Sequence, residues 1–146
     1  MKETVRVLVA EDNEDHLFFI TRALRGMENV TFEVAAVQDG AEALDFIYQR
    51  GGFVGQPRPH LILLDLKMPR VQGLEVLEVL KSDPELRSIP IAVLTSSDRQ
   101  QDVDASYRAG GNTYVVKRPT FSDLREELQA VSDFWTNTAV LPQPPN

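Results

Sequence analysis

The chain has 146 residues, 42% hydrophobic and 25% charged, with 22 acidic against 15 basic side chains for a formal net charge of −7. That length buries one core and leaves no room for two ordinary domains, and the acidic balance argues against a nucleic-acid surface, which needs clustered Lys and Arg. The sequence contains no cysteine, which excludes disulfides, thiolate catalysis and zinc-thiolate sites.

No apolar run approaches the length of a membrane span, and Met1-Lys2-Glu3-Thr4 leads into a strand without a signal-peptide core. A soluble cytoplasmic protein with no membrane partner is expected. Val5-Arg6-Val7-Leu8-Val9-Ala10 reads as a first strand stopping at Glu11-Asp12. A helix follows from Asn13 to about Arg25, with Leu17, Ile20, Thr21 and Leu24 at core spacing and Gly26 as its stop. The second strand, Thr31 to Val37, carries Glu33 and alternates more than the others, which places it at a sheet edge. Asp39-Gly40 turns into a helix bearing Ala43, Leu44 and Ile47. Gly51-Gly52 through Pro57-Arg58-Pro59 then makes a long surface connection, the glycines ending the helix and the prolines favouring extended backbone.

Leu61-Ile62-Leu63-Leu64 is apolar throughout, as in a strand covered on both faces, and ends abruptly at Asp65, with Leu66-Lys67-Met68-Pro69 beyond it. The third helix uses Leu74, Leu77 and Leu80 and ends before Pro84; Ile89-Pro90 leads into Ile91-Ala92-Val93-Leu94, which stops at Thr95-Ser96-Ser97. The fourth helix, roughly Asp98 to Ala109, offers only Val103, Tyr107 and a few alanines as anchors, so it is predicted to be the weakest packed and a moving part. Tyr114-Val115-Val116 is the last strand and stops at Lys117. The fifth helix carries the stripe Leu124, Leu128, Val131 and Trp135, and Leu141-Pro142-Gln143-Pro144-Pro145 cannot continue it. One domain over 1–136 with a Pro-rich C-terminal tail over 137–146 is expected. Short apolar runs alternating five times with helical patterns indicate an α/β protein, doubly wound around a parallel sheet.

Parallel strands bring their carboxyl ends to one edge, where open α/β sheets place ligands. Glu11, Asp12, Asp65, Thr95 and Lys117 converge there. Oxygen donors without thiolates or a paired histidine motif suit a hard cation such as Mg²⁺, bound directly by Asp12 and Asp65, through water by Glu11, and by the backbone carbonyl of Lys67. Without the cation the three carboxylates repel, so one should resist ionising. Asp65, a weak nucleophile, accepts a phosphoryl group when the incoming oxygens are neutralised and held in line. The Thr95 hydroxyl, the Ser96 backbone amide and the Lys117 ammonium would hold that group. The new dianion would pull Thr95 toward it, and the ring of Tyr114 would move into the vacated space beneath the fourth helix. Taken singly, the acid pair, Asp65 and Thr95-Ser96-Ser97 each pass as ordinary helix entries. Their coincidence at four strand ends does not. His16 and His60 lack metal-ligand spacing and read as surface or partner-facing residues.

Glu11-Asp12, Asp65-Leu66-Lys67-Met68-Pro69 with Gly73, Thr95, and Tyr114-Val115-Val116-Lys117, in this order, resemble a response-regulator receiver domain across residues 5 to about 135. The resemblance implies a flavodoxin-like (βα)5 fold with strand order 2-1-3-4-5, and phosphorylation of Asp65 by a sensor histidine kinase with Mg²⁺. It further implies loss of the phosphoryl group by hydrolysis, without turnover of any other substrate. The Pro57-Arg58-Pro59 approach, Ala105-Ser106-Tyr107, and Asp133-Phe134-Trp135 followed by Leu141-Pro142 are similar to the single-domain regulators that pair with bacterial phytochromes. That narrower likeness implies a photoreceptor kinase partner and a homodimer through the face of the fourth helix, fifth strand and fifth helix with the C-terminal aromatics. Trp135 with Phe134, Leu141 and Tyr107 reads more readily as core or tail packing than as interface; yet Phe134 and Trp135 are adjacent and cannot both enter one core, so one ring is left for a partner. The chain is expected to act by binding or by relaying phosphate, with no output domain of its own.

Two departures from the family pattern stand out. Arg118 separates Lys117 from Pro119, and the position two after Asp65 is Lys67, whose side chain is long enough to reach the mouth of the site. Lys67 and Ser97, the latter two after Thr95, are expected to tune phosphoryl lifetime. A binding-only pseudo-receiver is the alternative. A haloacid-dehalogenase-type phosphatase wants an aspartate where Lys67 stands, and an FMN binder wants a Ser/Thr/Gly-rich loop where Glu11-Asp12-Asn13-Glu14-Asp15 would repel the phosphate.

Overall fold

A computed structural model describes residues 3–146; Met1 and Lys2, which the sequence reading takes as a direct lead into the first strand, lie outside them. Five strands, β1 (Glu3–Ala10), β2 (Val30–Val37), β3 (Leu61–Leu64), β4 (Ile91–Thr95) and β5 (Thr113–Val116), alternate with five helices. The helices are α1 (Glu14–Arg25), α2 (Gly40–Ile47), α3 (Gly73–Ser82), α4 (Gln100–Arg108) and α5 (Phe121–Asp133). All strand pairs are parallel and the order is β2-β1-β3-β4-β5, the flavodoxin-like arrangement. β2 therefore lies at one edge, as its alternation predicts, and β5 at the other.

The sheet divides the hydrophobic residues by the two-residue period of a strand. Leu8 and Ala10, Ile62 and Leu64, and Ile91 and Val93 point to one side, where α2 and α3 supply Ala43, Ile47, Leu77 and Leu80. Val7 and Val9, Leu61 and Leu63, and Ala92 and Leu94 point to the other, against Ile20 and Leu24 of α1 and Leu124 and Leu128 of α5. Each central strand is thus buried on both faces, which is why it reads as a continuous apolar run.

Helix starts follow side-chain caps: Asn13, Asp39 and Thr120 each accept a backbone N–H of the first turn of α1, α2 and α5. α2 ends earlier than its glycines predict, because Gln49 takes the left-handed conformation at φ 59°, and Gly51–Phe53 forms a separate 3-10 turn. α4 begins at Gln100 rather than near Asp98, and Ser106 is its only buried residue. Beyond α5 a wide turn over Phe134–Thr138 precedes the tail. Trp135 and Leu141 pack against the α1/α5 core, while Phe134 stays 44% exposed.

His60 is not simply a surface residue. Its Nδ1 accepts the Arg6 N–H at 3.0 Å and its own N–H donates to the Arg6 carbonyl at 2.8 Å, extending the β1–β3 pairing at the end of the sheet where the strands begin. No helix among the described residues is long and apolar enough to cross a membrane.

Candidate functional site

The site stands at the carboxyl edge because backbone pairing runs past the strand ends. The Asp65 N–H donates to Ala10 O at 3.0 Å, Glu11 N–H to Val37 O at 3.0 Å and Lys117 N–H to Thr95 O at 2.7 Å. Each functional residue is thereby registered on its neighbour. Two glycines let the β3–α3 connection fold back over this edge. A Cβ at Gly73 would stand 2.1 Å from the Asp65 carbonyl oxygen, and one at Gly40 would stand 1.9 Å from that of Val71. Arg70, at φ 64°, forks onto the Asp39 carboxylate with contacts of 3.0 and 3.1 Å and ties the connection to the start of α2. Burial opposes ionisation of Asp39, but the Arg70 hydrogen bonds and the Glu42 amide hold its carboxyl below the usual range.

Asp65 is buried, and its Oδ1 accepts the Thr95 hydroxyl at 2.8 Å and the Lys67 amide at 3.2 Å. Its Oδ2 faces the Lys117 ammonium at 3.4 Å. Lys117 also donates to Glu11 Oε1 in a tight ion pair, with both side chains almost wholly enclosed. The Asn13 amide donates to the other Glu11 oxygen at 3.1 Å. Burial above all, with the nearby charge of Asp65, pushes the Glu11 carboxyl up to about 7 against the pull of Lys117. Glu11 is thus the carboxyl that resists ionising, and desolvation contributes more than repulsion.

One oxygen from each of Glu11, Asp12 and Asp65 lies within 4.8 Å of the others. Bonds of about 2.1 Å to an octahedral Mg²⁺ span that spacing, and an all-oxygen set is the one that ion prefers. These residues therefore fit a divalent hard cation. Asp12 is exposed and Glu11 and Asp65 are buried, so the cation would enter from the solvent side.

The remaining expected residues lie around this centre in different ways. Ser96 is exposed beside the strand end, and the Lys67 side chain is exposed. Ser97 is buried but turned toward α4: its hydroxyl donates to Asp102 Oδ2 at 2.5 Å and accepts the Arg99 N–H at 3.3 Å. The half-buried Tyr114 donates its hydroxyl to the Ser97 carbonyl at 2.9 Å, bridging β5 and the β4–α4 connection. No peptide bond is cis among the described residues. His16 keeps a side chain 41% exposed, as its surface reading expects, and also joins the site, with Nδ1 2.9 Å from Lys117 Nζ. Desolvation first, then the charge of Lys117, lowers its pKa. Only its place in the first turn of α1, beside the acid pair, hinted at this in the sequence.

Comparison with known proteins agrees with this geometry. The response regulator receiver domain family matches residues 7–129. Response regulator Rcp1 of Synechocystis sp. is 37% identical over 136 residues, 93% of this chain and 92% of that protein. The crystal structure of the phosphorylated cyanobacterial phytochrome response regulator RcpA superposes with a TM-score of 0.92 at 38% identity, covering 96% of this chain and 99% of that one. The Mn²⁺-bound form of Rcp1 gives a TM-score of 0.89 at 36% identity, covering 95% and 99%.

Proposed function

The chain belongs to the response regulator receiver family, and from that premise we propose that it is a phosphoryl-accepting switch of a two-component relay, charged on Asp65 by a sensor histidine kinase. The observation that carries this reading is the convergence of the Thr95 hydroxyl and the Lys117 ammonium on the two oxygens of one buried carboxylate, beside the acid pair Glu11 and Asp12. An Asp65 oxygen attacks phosphorus of the kinase's phosphohistidine; the new O–P bond forms as the N–P bond breaks, and the departing imidazole takes up a proton. Asp12 and Asp65 directly, Glu11 through water and the Lys67 carbonyl would hold Mg²⁺, which when bound would supply charge neutralisation for the phosphoryl oxygens. Thr95 and the Ser96 amide donate to that group, and Lys117 faces it as a compact cation. Hydrolysis returns the carboxylate and inorganic phosphate.

Two side chains carry the change outward in this reading. Thr95 follows the phosphoryl group and Tyr114, tied to the Ser97 carbonyl, adjusts beneath α4, so that α4, β5 and α5 signal. Lys67 and Ser97 tune the lifetime of the phosphorylated state. The partner is a phytochrome-type photoreceptor kinase, by likeness to the phytochrome response regulator RcpA, and the working species is a homodimer through the α4–β5–α5 face and the C-terminal aromatics, a reading that the exposure of Tyr107, Val116 and Phe134 supports.

Intact mass after incubation with acetyl phosphate tests the core of this. A gain of one phosphoryl group that requires Mg²⁺ and disappears in Asp65→Asn is the expected result. No gain under any condition would leave a binding-only pseudo-receiver.

A further inference from the structure

We infer that His16 is a positioning residue for Lys117, accepting a hydrogen bond that fixes the direction in which the ammonium faces Asp65; the inference rests on the phosphoacceptor reading above. An ammonium has three hydrogens and no lone pair, so the 2.9 Å contact runs one way: His16 Nδ1 accepts and the ring's proton sits on Nε2. The three hydrogens then have three takers, Glu11 Oε1, His16 Nδ1 and, at the longer 3.4 Å, Asp65 Oδ2. Lys117 is held on a tripod.

The three legs differ in kind. Glu11 belongs to the acidic set that fits a cation, and Asp65 is the carboxylate to be modified. His16 alone of the three has no second duty. A neutral acceptor orients the ammonium without cancelling its charge, whereas a third carboxylate there would draw the lysine away from Asp65. An apolar residue would leave one N–H of the buried Lys117 ammonium, whose side chain is only 5% exposed, without a protein partner. The backbone that carries the ring is fixed at the start of α1, since the His16 main-chain N–H donates to Asn13 Oδ1 at 3.0 Å. The ring and Lys117 line one cavity with Asp15, Phe19, Arg118 and Phe121.

Two measurements on the full chain decide the matter. The first is the ¹⁵N spectrum of the imidazole nitrogens with the ring neutral and no cation added. The Nε2–H tautomer should dominate, and Lys117→Met should move the ring toward a tautomer mixture; a dominant Nδ1–H tautomer overturns the inference. The second is binding of beryllofluoride with Mg²⁺, a phosphoryl mimic, to the wild type, His16→Leu and His16→Asn. Loss of one hydrogen bond to a charged group, partly replaced by water, should weaken binding about 5- to 10-fold in His16→Leu. Asparagine presents an amide oxygen near the Nδ1 position and should restore binding to within about 2-fold of wild type. Equal binding by wild type and His16→Leu, or no difference between the two variants, overturns this inference alone. A wild type that takes no beryllofluoride overturns the phosphoacceptor reading and this role with it.

Discussion

Glu11 combines near-complete burial with a carboxyl pushed up to about 7 from 4.5. A raised pKa means that the folded protein holds the proton more firmly than the unfolded chain does. The corresponding stability is fully present below pH 4.5 and is lost as pH rises through about 7. Protein stripped of divalent cations should therefore lose roughly 1–3 kcal/mol of unfolding free energy from this group across that window. Urea denaturation with a chelator at mildly acidic and mildly alkaline pH measures it, and Glu11→Gln should flatten the difference. An equally steep fall in the variant would assign the pH dependence elsewhere. At this scale the acids, Thr95 and Lys117 were legible because each terminates an apolar run. His16 was only hinted at by its place near the acid pair: its partner is 101 residues away, and no local pattern encodes which helix turn faces which strand end.

Among the elements, α4 has the least to hold it. Its only buried residue is a serine, Ser106, which donates to the Asp102 carbonyl at 2.8 Å. The Ser97 hydroxyl, bonded to Asp102 and to the Arg99 N–H, steadies the helix start. Amides of α4 should exchange with deuterium faster than those of α3 and α5. Ser97→Ala removes a cap-like contact of about 1 kcal/mol and should speed α4 exchange about 5-fold. Because that same serine lies two residues beyond Thr95, the variant should also change phosphoryl lifetime, as should Lys67→Asn. Unchanged hydrolysis rates in both variants would remove the tuning role. The weak packing of α4 was readable from its scarce apolar residues, but its start was not, since Ser97 spends its hydroxyl on a turn before the helix begins. Similarly, glycine punctuation misplaced the end of α2, where Gln49 adopts the left-handed conformation that the sequence rule reserves for glycine.

At the level of the molecule, exposed apolar side chains mark a face around the β5 edge that a partner can meet. Tyr107 is 50% exposed, Val116 37% and Phe134 44%, on α4, β5 and the turn after α5. Sedimentation of unphosphorylated and phosphorylated protein should detect a dimer, and Tyr107→Ser with Phe134→Ser should raise its dissociation constant at least ~10-fold. A monomer in both states, at all concentrations, would remove the proposed dimer face. The division of labour between Phe134 and Trp135 was legible as a constraint, since neighbours on a helix cannot share a core, but not as an outcome. Only packing against Leu141 and the α1/α5 core selects Trp135 as the inner ring. Strand identity followed from apolar run length. Strand order came through the family resemblance, because hydrophobicity says that a strand is covered and not which strand lies beside it.

The alternation of β3 carries a further consequence. Leu61 and Leu63 serve one core, Ile62 and Leu64 the other, and Asp65 follows at the next step. Orientation along this strand is a matter of parity. Inserting or deleting one residue between Leu61 and Asp65 would send the β3 side chains beyond that point to the opposite core and turn the carboxylate to the wrong side in one stroke. Foldability and the proposed phosphoryl chemistry thus answer to the same odd-or-even count, so the site can be retuned by substitution around it but cannot move along its strand by a single residue.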